Sequence, residues 1–255
     1  MIKPMTGFLT VAAALLLICG CEKQAPTTPT DTSTTTEAAE TKPANDADKP
    51  EANTAEEDKP MTQTEKPADA DSAEMHPRVV LSTTKGDIVL ELDPEKAPIT
   101  VKNFLQYVDD GHYNGTIFHR VMDEFMIQGG GFGTDKKQKE SRAQIKNEWQ
   151  NGLKNKRGTI AMARLGNQPD SASAQFFINH VDNDGLDLPR DGAGYAVFGK
   201  VVDGMDVVDA IAKVTTGTAV LESLRQVGDQ KVLESMPAQN VPIEDVIIES
   251  AKRVK

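Results

Sequence analysis

From Arg78 onward, hydrophobic and polar positions change rhythm repeatedly, and each change marks an element. Arg-Val-Val-Leu-Ser-Thr-Thr and Ile-Val-Leu-Glu-Leu alternate with period two and flank Lys85-Gly86-Asp87, which predicts two strands joined by a tight glycine turn. Asp93-Pro94 ends the second strand. Val101, Phe104, Leu105 and Val108 then keep helical spacing, with Pro98 suited to the first turn and Gly111 to the stop. Tyr113-Asn114-Gly115-Thr116 is a turn leading into FHRVMDEFMIQGGGF, Phe118 to Phe132. A polar loop is expected to about Asn155. Further strands are expected over Arg157–Ala163, Ser173–Asn179 and Tyr195–Val202, a second helix over Met205–Lys213, and a closing strand at Val246–Ile248. Between the last two, Thr215 to Asn240 reads as an insertion in which Val220, Leu221, Leu224 and Val227 form a short amphipathic helix. Many short strands with turn signals and two helices predict an all-β-dominated fold, a closed antiparallel barrel. No internal repeat is visible.

The N-terminal part has a different texture. Met1–Cys21 carries one Lys, an apolar run from Phe8 to Ile18, then Cys19-Gly20-Cys21. The run is about half a bilayer span and has the layout of a secretory signal peptide. Leu17-Ile18-Cys19-Gly20-Cys21 resembles a bacterial lipobox, which implies that Cys21 is lipidated and becomes the new N-terminus. The bland alternative is ordinary signal cleavage. Acyl chains would anchor the protein to a membrane. Glu22 is not the aspartate that resembles an inner-membrane retention signal. In a Gram-negative host this points to a lipid-anchored protein of the cell envelope, at the outer membrane and facing the periplasm.

Residues 22–77 are rich in Ala, Thr, Pro and acidic residues, with 14 Asp/Glu against 5 Lys. Such a segment buries too little to offset its ordering entropy, so a disordered acidic tether is expected. Of the formal net charge of −11, it holds −9, and the part from Arg78 onward is nearly balanced. No basic cluster reads as a nucleic-acid surface. The two cysteines both lie in the signal region, which excludes a thiol nucleophile or a Cys-based metal site in the body. His76, His112 and His180 lack the paired spacing of a metal site, and none is expected. Gly129-Gly130-Gly131 lacks the Lys-Ser/Thr of a phosphate loop and reads as permitting close backbone approach.

The organising stretch places Arg120 among Phe118, Val121, Phe125, Met126 and Ile127. An arginine in such company needs a specific partner or task. FHRVMDEFMIQGG, GTIAMAR, SAQFFIN and YAVFGKVVDGMDVVD resemble, in order and spacing, the signature blocks of the cyclophilin family of peptidyl-prolyl cis–trans isomerases. The resemblance runs from about Arg78 to Arg253 and is nearest the bacterial periplasmic type, with Tyr195 where many eukaryotic members have His. It implies an isomerase domain over residues 78–255, folded as an eight-stranded antiparallel barrel capped by two helices. It also implies a groove on the barrel's outer face and no cofactor.

By the same matching, Arg120 is the catalytic donor and Gln128 holds its guanidinium. Phe125, Met126, Phe177, Leu186 and Tyr195 line a proline pocket. Ala163 and Arg164 meet the residue before proline, largely through backbone groups, and Gln175 sits at the groove edge. His119 reads as structural, since the reaction needs no base. Gly185 stands where many relatives carry Trp, which implies weak cyclosporin binding. The expected activity is isomerisation of proline-containing polypeptide clients in the envelope. Two other classes remain open: a non-catalytic proline-binding chaperone, and a lipoprotein that contacts envelope or host partners through the tether or the insertion.

Overall fold

The computed structural model describes residues 76–227 and 230–254. The signal region, Cys21 and almost all of the acidic tether lie outside the described residues. Eight strands close a barrel: β1 (Arg78–Thr83), β2 (Gly86–Leu92), β3 (Thr116–Met122), β4 (Met126–Gly133), β5 (Thr159–Met162), β6 (Phe176–Asn179), β7 (Val197–Asp203) and β10 (Ile247–Arg253). Their order around the barrel is β1-β10-β3-β4-β6-β5-β7-β2, every pair antiparallel. Helices α1 (Pro98–Asp109) and α2 (Met205–Ala212) pack against it. The expected barrel and both helices are therefore present, with strand ends shifted by a few residues.

Period-two alternation decides what fills the barrel. Ile88, Leu90 and Leu92 of β2 and Val79 and Leu81 of β1 are wholly buried and point inward. Helix α1 adds Val101, Phe104, Leu105 and Val108 to the same cluster. Phe104 is its aromatic hub, with ring centroids of Tyr113, Phe176 and Phe198 at 5.1, 5.7 and 5.2 Å. Pro98 opens α1 as the sequence predicts, but Ala97 offers no capping side chain. The cap comes from far along the chain: Glu148 accepts hydrogen bonds from the backbone N–H groups of Ile99 and Thr100 and from Thr100 Oγ1. A carboxylate there satisfies free donors and the positive end of the helix dipole together.

The glycines of β4 serve close packing. Gly130 has φ +82°, and a β-carbon on it would lie 2.8 Å from Tyr113 and 2.9 Å from Phe176, both core rings. Only glycine gives this strand both the left-handed backbone and the space.

The expected helix at Val220–Val227 does not form. Thr216–Val227 is a strand, β8, paired with β9 (Gln230–Pro242) in a separate two-stranded ribbon. Val220, Leu221, Leu224 and Val227 would share one face of a helix, yet a helical stripe needs a surface to bury against. Here only Leu221 reaches one, packing on Ile117 and Phe132 outside the barrel. Ladder bonds to β9, and backbone bonds between Glu222 and residues 136 and 138, fix the extended form instead.

Candidate active site

A second apolar cluster lies apart from the barrel interior. Met126, Ala161, Phe177 and Val197 are buried in it, and Met122, Phe125, Leu153, Ala163, Leu186 and Tyr195 pack against them. Its position follows from alternation. Ile127, Ile160, Phe176 and Ile178 point into the barrel, so Met126, Gln128, Ala161 and Phe177 point out. Strand register then aligns them: Arg120 faces Gln128, Gln128 faces Phe177, Phe177 faces Ala161, and Ala161 faces Val197. One row of side chains crosses five strands on the outer surface.

Arg120 joins this row through an irregularity. Phe118 is an inward residue, so strict alternation would turn Arg120 inward as well. Between Phe118 and Arg120 the register slips: Phe118 pairs with Gly129, and Arg120 with the very next residue, Gln128. This one-residue bulge re-aims the arginine outward and returns Val121 to the core.

Arg120 Nη1 then donates to Gln128 Oε1 at 3.4 Å, a long bond. Gln128 Nε2 donates to Gln175 Oε1 at 3.0 Å. The Arg120 guanidinium carbon stands 5.9 Å from the centre of the Phe125 ring. Among the described residues no carboxylate pairs with Arg120, so most of its donors remain available beside the apolar patch. The Phe177 and Tyr195 rings meet edge to face at 5.6 Å. Leu186 sits in a 3-10 turn, Asp184–Asp187, and accepts a backbone bond from Tyr195. Ala163 N donates to the Gln175 carbonyl.

Nine of the ten groove residues expected from the sequence thus meet in this cluster or in the Arg120–Gln128–Gln175 chain. Arg164 borders it, with its side chain committed elsewhere. It stacks on Tyr195, guanidinium carbon to ring centre 4.7 Å, and donates to the carbonyls of Leu165, Arg190, Ala193 and Gly194. It clamps the loop before β7. Met122, Leu153, Ala161 and Val197 complete the patch and were not foreseen; only strand register reveals them. His119 is buried, its ring centre 4.7 Å from that of Phe132 and tilted 55° to it. Burial pushes its pKa down to about 4, against weaker upward pulls from the Ile117 backbone and Gln175. Its Nδ1 has no hydrogen-bond partner among the described residues. It is neutral at ordinary pH, in keeping with a structural role.

A planar cationic donor beside an apolar patch suits one reaction in particular. An X–Pro amide resists rotation by about 18–20 kcal/mol because of its resonance. Twisting removes the resonance and frees the nitrogen lone pair as an acceptor. A donor at that point binds the twisted state better than the planar one.

Comparison with known proteins agrees. A family profile described as "Cyclophilin type peptidyl-prolyl cis-trans isomerase/CLD" matches residues 78–252. The chain belongs to the cyclophilin-type peptidyl-prolyl cis–trans isomerase family. It is 54% identical to peptidyl-prolyl cis-trans isomerase B of Escherichia coli K12, over 68% of this chain and 96% of that one. It is 51% identical to peptidyl-prolyl cis-trans isomerase A of Dickeya dadantii, over 73% of this chain and 89% of that one. Among solved structures, a Cryptosporidium parvum cyclophilin crystallised in the presence of the dipeptide Ala-Pro superposes with a TM-score of 0.55. It is 26% identical, covering 70% of this chain and 99% of that one. The enzyme class of this cyclophilin is peptidyl-prolyl isomerase.

Proposed function

We propose that this cyclophilin isomerises X–Pro bonds of polypeptides in the groove where Arg120, Gln128 and Phe177 stand in one row. The observation that carries this reading is the bulge-directed Arg120, held by an amide and, among the described residues, paired with no carboxylate, at the edge of an apolar patch. A proline ring fits against Phe125, Met126, Phe177, Leu186 and Tyr195, and Arg120 donates to the proline nitrogen as the bond twists. Raising a spontaneous rate of ~0.01 per second by ~10⁵ requires about 7 kcal/mol. One charged hydrogen bond supplies part of that, and binding of the twisted proline in a water-poor notch supplies the rest. The test is isomerisation of a short Ala-Pro peptide by the purified chain, with Arg120→Ala as control. A wild type no faster than the spontaneous rate overturns the reading.

The proposed setting is the cell envelope. Lipidation at Cys21 would anchor the chain at the outer membrane facing the periplasm, and residues 22–77 would give the enzyme reach toward folding clients. What supports this is the lipobox-like Leu17–Cys21 and the acidic, proline-containing segment behind it. Radioactive palmitate should label the wild type and not Cys21→Ser; equal labelling overturns the anchor.

A further inference from the structure

Three of the groove walls belong to no strand. Phe125 lies on the turn between β3 and β4, Leu186 on a 3-10 turn, and Tyr195 on the loop before β7. Ladder bonds do not fix them. A buried polar network does, and it uses residues to which nothing else assigns a task.

Asn183 is its node. Its Nδ2 donates to the Phe125 carbonyl at 2.9 Å and to Asn179 Oδ1 at 2.7 Å. Its backbone N–H donates to the Asn155 carbonyl, and its own carbonyl accepts from Leu186 N, both at 2.8 Å. Behind it, Asn179 Nδ2 donates to Asn155 Oδ1 and Thr159 Oγ1. Asn155 Nδ2 donates to Asp187 Oδ1 at 2.9 Å and to the Tyr195 carbonyl at 3.3 Å. Asn155 and Asn179 are wholly buried. The same Phe125 carbonyl also accepts from His180 N.

We propose that Asn183 is a positioning residue for the isomerase site: its amide holds Phe125 directly and Tyr195 through Asn179 and Asn155, while its main-chain carbonyl holds Leu186, so that the three walls keep one arrangement. This rests on the groove being the isomerase site. Fully satisfied buried networks hold one geometry, and a displacement of about 1 Å can cost two orders of magnitude in rate. Both Nδ2 hydrogens are engaged, so a group of the same shape without them faces two acceptors it repels. Asn183→Asp is that group when ionised. When protonated, it regains one donor.

The experiment uses the full chain and a short Ala-Pro peptide. Asn183→Ala should lower kcat/KM about tenfold and weaken peptide binding, read by calorimetry, at least fivefold, with thermal unfolding still cooperative. For Asn183→Asp, activity relative to wild type should rise at least fivefold between pH 8 and pH 5. Values for Asn183→Ala within twofold of wild type overturn the proposal. So does an Asp variant whose relative activity is flat with pH, or a loss that only follows the unfolded fraction. If Asn183→Ala does not fold, the pH profile of Asn183→Asp decides alone. A wild type that binds the peptide without accelerating it defeats the isomerase reading, while the binding measurements still judge Asn183.

Discussion

A β-carbon on Gly131 would lie 2.5 Å from Cγ of Gln175. No real structure tolerates that approach, so in Gly131→Ala the glutamine side chain must swing away. Its bond to Gln128 at 3.0 Å goes with it, and Gln128 is what holds Arg120. Gln175 is half-buried and flexible, so the fold should survive with little loss. Gly131→Ala is expected to reduce kcat/KM several-fold in the peptide assay while the unfolding midpoint changes by only a few degrees.

Arg120 makes one long hydrogen bond and one ring contact, neither worth much stability. Arg120→Ala should therefore lower turnover at least tenfold, about 1.4 kcal/mol or more, and leave the thermal midpoint nearly unchanged. Arg120→Lys keeps the charge but not the planar fork. It too should fall at least tenfold, and activity close to wild type would show that charge alone suffices.

His119 sets a pH dependence of stability. Its folded pKa, about 4, lies below the usual 6.5 because burial disfavours the charged ring. The unfolded chain takes up this proton near pH 6.5 and the folded protein only near pH 4. Stability is therefore complete above pH 6.5 and is lost progressively as the pH falls toward 4, by about 3 kcal/mol from this residue. Denaturant unfolding at pH 7 and pH 4.5 should show that decline. His119→Asn should remove a large part of it, leaving what the carboxylates contribute.

Gly185, beside Leu186 on the 3-10 turn, offers neither a ring nor an indole N–H. A β-carbon there meets nothing nearer than Arg190 Nη2 at 3.7 Å, so there is room for a larger residue. Cyclosporin should inhibit the wild type weakly, and Gly185→Trp should tighten inhibition at least tenfold. A nanomolar inhibition constant for the wild type would remove the basis of this expectation.

Much of this is legible in the sequence because β1 and β2 alternate cleanly and α1 keeps its spacing from Val101 to Val108. The groove residues came from matching motif blocks, and their meeting in space follows from register, which alternation alone does not give. The bulge before Arg120 has no sequence signal: by counting, that side chain belongs inside. The ribbon of β8 and β9 departs from the expected helix because Val220, Leu221, Leu224 and Val227 satisfy a helical period, while their cross-strand partners are set by a hairpin, Val220 against Pro237 and Leu224 against Leu233. Arg164 is expected to meet substrate largely through its backbone, and its side chain is engaged with the 190–194 loop, a task the motif does not signal. Asn155, Asn179 and Asn183 were passed over because an asparagine near a turn ordinarily explains itself as turn chemistry.

Barrel closure has a consequence for the proposed activity on unfinished chains. Such clients carry unpaired backbone and join any open sheet margin. The catalytic body has none to give, since each of its eight strands is flanked on both sides. A client can touch the groove through side chains, be turned about its proline, and depart without being stitched into the catalyst. Among the described residues, strand edges are left in the β8–β9 ribbon, where residues 136–138 cover part of β8 and Lys231 and Pro237 stand on β9.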